Sequence, residues 1–165
     1  MWNELNWEKR SDAPRREYWT NTLNKPYSYG SGAGRRTYLP GPTHPVIEDC
    51  TDALEKELGF RYEACFLNGY ETARDALGWH SDDDDGIDHN FPIAVISLYG
   101  EGPANGLRSI MVKAINTDDI ETFVLNDGSL FLMPAGSQFT HMHKIPKAGH
   151  VVRPRISLTY RKLKV

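Results

Sequence analysis

The chain has 165 residues, of which 39% are hydrophobic and 25% are charged, so it is long enough to form one domain around a hydrophobic core. It contains no apolar run close to the roughly 20 residues of a membrane span. Residues 1–5 lack the basic start and apolar stretch of a signal peptide. The two cysteines fall in apolar contexts that suit reduced thiols and a cytoplasmic protein. We also expect a monomer that does not bind membranes.

The net charge of -3 is unevenly distributed along the chain. Residues 1–40 carry a net charge of +3, residues 41–140 carry -13, and residues 141–165 carry +7. Basic ends that flank an acidic centre could present positive surface to phosphates. The alternative is that folding disperses these charges evenly over the surface.

The N-terminal part of the chain mixes aromatic and basic side chains with several glycines. Its pattern predicts short strands at residues 5–7, 16–19 and 26–29. After a Pro-Gly-Pro break at residues 40–42, apolar residues keep helical spacing and predict a helix over residues 45–58. Pro45 suits the first turn of this helix, and Gly59 can end it.

From residue 62 onward the pattern changes to short strands separated by glycine, proline and Asn-Asp-Gly. The predicted strands are residues 63–70, 92–99, 107–115, 120–125, 129–133, 138–143 and 153–162. This pattern favours a mainly β fold, a double-stranded β-helix (jelly roll) with an N-terminal helix and a β-rich lid. A jelly roll brings residues of distant strands together at its mouth, and residues 70–80 would be the loop that leads there.

Three side chains form a candidate metal site. His80 and Asp82 are two residues apart and share a face if the segment is extended. His143 follows in a later strand, and two imidazoles with one carboxylate make the facial triad of non-haem Fe(II) oxygenases. His141 would lie on the same side of its strand as His143, so it is a rival ligand.

The last predicted strand supports this interpretation. Its alternation places four polar side chains on one face, namely Arg155, Ser157, Thr159 and Arg161. A strand inside a small domain has little reason to align two arginines along one face unless an anion binds there.

Several motifs extend the pattern: Asn68-x-Tyr70, the run Leu-Gly-Trp-His-Ser-Asp-Asp-Asp at residues 77–84, His-Lys-Ile-Pro at residues 143–146, and Arg-Ile-Ser-Leu-Thr-Tyr-Arg at residues 155–161. In order and spacing over residues 62–162, they resemble the catalytic core of the AlkB-type Fe(II)/2-oxoglutarate dioxygenases. Upstream, Pro14-Arg15 and Tyr27-Ser28-Tyr29 resemble the substrate-recognition region of nucleic-acid-repairing members, here residues 1–40. The resemblance implies one catalytic domain over residues 1–165, a minimal member of the kind found in phages and bacteria.

The resemblance also implies the cofactors and their ligands. His80, Asp82 and His143 would bind Fe(II). The cosubstrate 2-oxoglutarate would be bound by Arg155 and Tyr70 at its distal carboxylate, and by Asn68 and Arg161 near its keto-acid end. Ser157 stands where the best-known demethylases of the family have asparagine, and its hydroxyl reaches less far.

The activity that the resemblance implies is oxidative demethylation, with O2, of bases of the 1-methyladenine and 3-methylcytosine type in DNA or RNA. Asp84 would contact the exocyclic amine of the damaged base, or else face solvent. Tyr27 and Tyr29 would flank a flipped base, or else pack the sheet, and Arg15 would contact the nucleic acid, or else be an ordinary surface arginine.

Two other functions are consistent with the sequence. One is a 2-oxoglutarate-dependent hydroxylase of a protein side chain or small molecule, because the catalytic core serves either substrate class. The other is a non-catalytic nucleic-acid-binding or metal-binding jelly roll, which would have no need for the two arginines of the last strand.

Overall fold

The computed structural model describes residues 1–11 and 13–165. Its longest helix, α1, spans Pro45–Leu58, and short 3-10 turns occur at Gly32–Gly34 and Ser137–Phe139. The strands are β1 Glu8–Lys9, β2 Arg16–Asn21, β3 Tyr27–Tyr29, β4 Arg36–Tyr38, β5 Ala64–Tyr70, β6 Leu77–His80, β7 Ile93–Tyr99, β8 Arg108–Ala114, β9 Ile120–Leu125, β10 Leu130–Met133, β11 His141–Ile145 and β12 Arg155–Arg161.

The strands form two larger sheets and one hairpin. The six-stranded sheet has the order β1-β2-β5-β12-β7-β10, and the four-stranded sheet has the order β6-β11-β8-β9. Strands β3 and β4 pair only with each other. The paired strands in the described part of the chain are antiparallel, as expected of the mainly β fold that the sequence predicts.

Strand β12 lies in the middle of the six-stranded sheet, between β5 and β7. Side chains on one of its faces, such as Leu158 and Tyr160, pack with Ile47 and Leu54 of α1 in the main hydrophobic core. The alternate residues, which include both arginines, point to the opposite face and are also buried. One strand therefore supplies an apolar layer against the helix and a polar layer facing a cavity.

Helix α1 has the bounds that the sequence predicts. The side chain of His44 accepts a hydrogen bond from the backbone N–H of Val46, and Pro45 occupies the first turn. The helix ends at Gly59, whose φ of 81° is left-handed and therefore suits glycine.

Local structure differs from the sequence predictions at four places. The strand predicted over residues 138–143 begins only at His141, because Ser137–Phe139 form a 3-10 turn. Residues 5–7 are not a strand, because Trp7 packs against Trp2 and donates to its carbonyl oxygen at 2.9 Å instead of pairing with a neighbouring strand. Strand β4 was not predicted, because its Arg-Thr-Tyr sequence is held extended by pairing with β3. Residues 77–80, within the predicted loop, form β6.

Two further observations concern the cysteines and the helices. Cys50 and Cys65 are both free thiols, and Cys65 is buried. In the part of the chain that the structure describes, each helix is too short or too polar to cross a membrane.

Candidate metal site and its cavity

A cavity of about 310 Å³ opens between the two sheets. The residues that the sequence singles out for metal, cosubstrate and substrate all line it: Arg15, Tyr27, Tyr29, Asn68, Tyr70, His80, Asp82, Asp84, His143, Arg155, Ser157 and Arg161. They come from both sheets and from the β3–β4 hairpin, so the fold brings together residues that are far apart in sequence.

Pairing between β6 and β11 creates the triad. His80 is the direct partner of His143 in the antiparallel register, and their ring centroids are 4.2 Å apart. Asp82 follows immediately after β6 and is buried. The candidate ligand atoms of the three residues lie within 4.8 Å of one another, a spacing that suits a single metal ion.

Neighbouring groups orient the ligands. The Nδ1 atom of His80 lies 2.8 Å from the carbonyl oxygen of Gly78, so a proton on Nδ1 leaves Nε2 free to bind a metal. Arg161 donates from Nη2 to Oδ2 of Asp82 at 2.9 Å, which leaves Oδ1 as the metal-facing oxygen, 3.6 Å from Nε2 of His80. The side chain of Gln138 accepts the backbone N–H of Asp82 at 2.9 Å and fixes the segment.

The electrostatics of the triad match those of a metal site. Burial would raise the pKa of the Asp82 carboxyl, but the charges of Arg161 and of the two imidazoles hold that pKa well below its usual range. Burial and the neighbouring His80 lower the pKa of His143 to about 4. At neutral pH the site therefore presents a carboxylate and a neutral buried imidazole, which are the forms that bind metals.

Two buried arginines line the cavity beside the triad. Arg155 is 0% exposed and donates from Nε and Nη2 to the hydroxyl of Ser97, at 3.1 and 2.9 Å. Its Nη1, and the Nε and Nη1 of Arg161, find no hydrogen-bond partner within the described residues. Buried donors of this kind need acceptors, and a small molecule with carboxylate groups would supply them.

Other predicted cosubstrate residues lie around these arginines. The ring of Tyr70 lies 5.4 Å from the guanidinium of Arg155 and 5.0 Å from that of Arg108. Ser157 pairs in register with Asn68 on β5, so the two side chains occupy one row of the cavity wall. The exact contacts of these residues with a cosubstrate stay predictions.

The β3–β4 hairpin closes one side of the cavity. The hydroxyl of Tyr27 donates to Oδ2 of Asp84 at 2.5 Å, so Asp84 has a partner within the cavity wall. The ring of Tyr29 stacks on that of Tyr38 with centroids 5.8 Å apart, and its hydroxyl donates to Glu17 at 3.1 Å. Both predicted aromatic residues thus border the cavity and also pack the hairpin.

Arg15 lies in the cavity wall and not on the outer surface. Its side chain is 8% exposed and donates to Oδ1 of Asn68 at 2.9 Å and to Glu17 at 3.0 Å. Any contact of Arg15 with a substrate would therefore take place inside the cavity.

The structure adds residues that the sequence prediction did not include. Glu17, Ser97, Arg108 and Gln138 are all buried and all contact predicted site residues. Glu17 carried a sequence signal, since it shares its strand face with the buried Trp19. His141, the rival ligand, is exposed and lines a neighbouring cavity, outside the triad.

The profile of the 2OG-Fe(II) oxygenase superfamily matches residues 5–161, nearly the whole chain. The chain belongs to this superfamily. The superfamily is named for Fe(II) and 2-oxoglutarate, and the residues of this chain fit both groups. The triad offers two nitrogens and a carboxylate oxygen, and the buried arginines offer unpartnered donors.

Curated relatives confirm the AlkB-type resemblance. The oxygenase is 30% identical over 155 residues to human alpha-ketoglutarate-dependent dioxygenase alkB homolog 3, covering 90% of this chain and 51% of the human protein. It is 26% identical over 157 residues to mouse DNA oxidative demethylase ALKBH2, covering 88% of this chain and 64% of the mouse protein. The chain thus spans about half the length of the human relative.

Solved structures confirm the fold. OsALKBH1 superposes with a TM-score of 0.60 at 16% identity, covering 94% of this chain and 83% of that structure. A prolyl-4-hydroxylase from Pseudomonas putida superposes with a TM-score of 0.53 at 14% identity, covering 96% of this chain and 79% of that structure. At these identities the likeness concerns the fold alone.

Proposed function

We propose that this oxygenase removes methyl groups oxidatively from bases of the 1-methyladenine and 3-methylcytosine type in DNA or RNA, using Fe(II), O2 and 2-oxoglutarate. The observation that carries the proposal is the convergence of three groups in one cavity: the triad, two buried arginines with unpartnered donors, and an acidic and aromatic wall. The demethylase name of the mouse relative supports the same substrate class.

His80, Asp82 and His143 would hold the iron, and Arg155 would pair with the distal carboxylate of 2-oxoglutarate. Tyr70, Asn68, Ser157 and Arg161 would form the rest of the cosubstrate wall. Bound iron and 2-oxoglutarate would supply the oxidising chemistry with O2. The protein would orient the methyl group toward the metal and keep water out.

An acidic wall suits the damaged bases. Methylation at N1 of adenine or N3 of cytosine leaves a cationic base, whereas the repaired base is neutral. A carboxylate near the base, here Asp84 held by Tyr27, favours the cationic form over the neutral product. Tyr29 and Arg15 on the same wall would add contacts to the flipped nucleotide.

We further propose a single domain over residues 1–165 that acts as a monomer. Residues 1–40 contribute β2 to the six-stranded sheet as well as the hairpin wall, so substrate recognition would be built into the catalytic core of residues 62–162. The predicted ligands and substrate contacts all come from one chain.

The experiment is a panel of single- and double-stranded DNA and RNA oligonucleotides with 1-methyladenine or 3-methylcytosine. Mass spectrometry would follow repair in the presence of Fe(II) and 2-oxoglutarate, and succinate release would be measured in parallel. We expect repair coupled to succinate. Succinate release without repair of any oligonucleotide would replace this proposal with the protein or small-molecule hydroxylase, and no succinate at all would favour a non-catalytic role.

A further inference from the structure

A buried glutamate, Glu17, faces the proposed base cavity. It lies on β2 and pairs in register with Asn68 of β5, and it is 0% exposed. It lines the same cavity as the triad. A carboxylate buried this deeply is costly to the fold unless both of its oxygens have partners.

The two oxygens of Glu17 differ in their partners. Oε2 accepts hydrogen bonds from Nη2 of Arg15 at 3.0 Å and from the hydroxyl of Tyr29 at 3.1 Å. Oε1 forms an ion pair with Nη1 of Arg36 at 3.6 Å but accepts no hydrogen bond within the described residues. Oε2 is thus fixed by two hydrogen bonds, whereas Oε1 has only the longer ion pair with Arg36 and retains an acceptor lone pair that a donor from a bound molecule can use.

Glu17 repeats an arrangement found beside it. The hydroxyl of Tyr27 is bonded to Asp84, and the hydroxyl of Tyr29 is bonded to Glu17. The two tyrosine rings are neighbours on one strand, with centroids 5.9 Å apart. Two neighbouring tyrosines of the hairpin therefore each donate to a carboxylate of another segment, and both carboxylates line the cavity.

We infer that Glu17 is a specificity-determining residue whose Oε1 accepts a hydrogen bond from an N–H group of the base, so that the cavity selects bases with an exocyclic amino group over bases with an oxo group. This inference rests on the proposed function. An oxo group at the same place would bring two acceptors together and leave Glu17 unsatisfied, which is how polar sites reject an analogue of the same shape.

Glu17→Gln tests the inference because the orientation of its amide is constrained. The amide oxygen must replace Oε2, since Arg15 and Tyr29 both donate there. The amide NH2 then replaces Oε1, so a hydrogen-bond donor stands where the wild type has an acceptor. The variant should consequently disfavour an amino group and accept an oxo group.

The substrates are two oligonucleotides of one sequence, with 3-methylcytosine or 3-methyluracil at the same position. These bases differ at C4, where one has an amino group and the other an oxo group, and in charge, because only 3-methylcytosine is cationic. We expect Glu17→Gln to lower the ratio of kcat/KM for 3-methylcytosine over 3-methyluracil by at least about tenfold. Anisotropy of the two labelled oligonucleotides with the metal-free protein should shift in the same direction.

Two further variants separate the hydrogen bond from charge and folding. Glu17→Asp keeps the charge but withdraws the oxygen by one methylene, and it should also lose the preference; a retained preference would mean that charge alone selects. If Glu17→Gln does not fold, the ratio for Glu17→Asp decides. Glu71→Gln is the matched control. Glu71 pairs at the surface with Arg16, the neighbour of Glu17 in sequence, so this variant should leave the ratio unchanged.

The outcomes distinguish this inference from the proposed function. Wild-type repair of 3-methylcytosine with an unchanged ratio in folded Glu17→Gln overturns the role of Glu17 and leaves the proposed function standing. If the wild type repairs neither base nor 1-methyladenine in any strand context while succinate still forms, the proposed function fails and this inference fails with it.

Discussion

Unpartnered buried arginine donors are the residue-scale feature that separates this cavity from an ordinary metal site. Binding of a metal ion by His80, Asp82 and His143 does not require two arginines nearby. Arg155 and Arg161 nevertheless both have guanidinium nitrogens without a hydrogen-bond partner beside the triad. Their burial is costly in the empty protein and favourable when a dicarboxylate occupies the cavity. A bound dicarboxylate therefore best explains why these two arginines are buried with unpartnered donors.

Replacing Arg155 with lysine tests its pairing with 2-oxoglutarate. Lysine keeps the charge but loses the planar fork, and Ser97 can no longer hold two of its nitrogens. We expect the KM for 2-oxoglutarate to rise at least about tenfold. Arg153→Lys is the matched control, since Arg153 pairs with Asp127 on the surface. An unchanged KM in Arg155→Lys would remove this residue from the cosubstrate site.

Replacing Asp82 with alanine should affect both metal binding and stability. The variant loses the carboxylate ligand, and it also leaves the buried Arg161 without its ion-pair partner. We expect divalent metal binding, measured by calorimetry with Mn²⁺, to be greatly weakened. The free energy of unfolding of the metal-free protein should fall by about 3–5 kcal/mol. Asp85→Ala, at an exposed neighbouring carboxylate, should change neither quantity. Wild-type metal affinity in Asp82→Ala would restrict Asp82 to the ion pair with Arg161.

At the scale of elements, the sequence predicts the faces of single strands and helices from side-chain periodicity, but it does not predict which strands pair. The alternation of polar and apolar residues in β12 and the helical spacing of apolar residues in α1 predict both elements and their faces. This works because the direction of each side chain follows from its position along one strand or helix. The roles of Glu17 and Arg108 depend on which strands become neighbours, and no local pattern specifies that register. Strand β4 was missed for the same reason, since its partner β3 holds it extended.

The β3–β4 hairpin is predicted to recognise the substrate without affecting the iron site. Tyr29→Ala removes a ring that borders the cavity and should weaken oligonucleotide turnover by about 1–3 kcal/mol, the usual worth of a base–aromatic stack. Tyr29→Phe keeps the ring and removes only the hydroxyl that bonds Glu17, so its loss should be smaller. Uncoupled decay of 2-oxoglutarate, measured without oligonucleotide, should stay near wild type in both. Equal losses in the two variants would show that the hydroxyl, and not stacking, is the important contact.

At the scale of the whole molecule, folding pairs some of the basic residues at the two ends of the sequence with acidic residues of the centre. Examples are the pairs of Arg16 with Glu71 and of Arg153 with Asp127. Arg161 likewise forms an ion pair with Asp82 inside the cavity. The dispersed-charge alternative therefore describes these pairs better than a continuous basic surface does, and fewer basic groups are left to contact phosphates.

This distribution predicts shallow salt dependence of nucleic-acid binding. Each phosphate contact to a single strand adds about -0.7 to the slope of log K against log salt, so about three contacts give a slope near -2. We expect the affinity for a single-stranded oligonucleotide to fall by less than about twentyfold between 50 and 200 mM salt, whereas proteins with about 6–10 contacts lose far more. Fluorescence anisotropy of a labelled oligonucleotide over this range measures the slope. A slope steeper than about -4 would mean that the basic ends form an extended phosphate-binding surface despite their ion pairs.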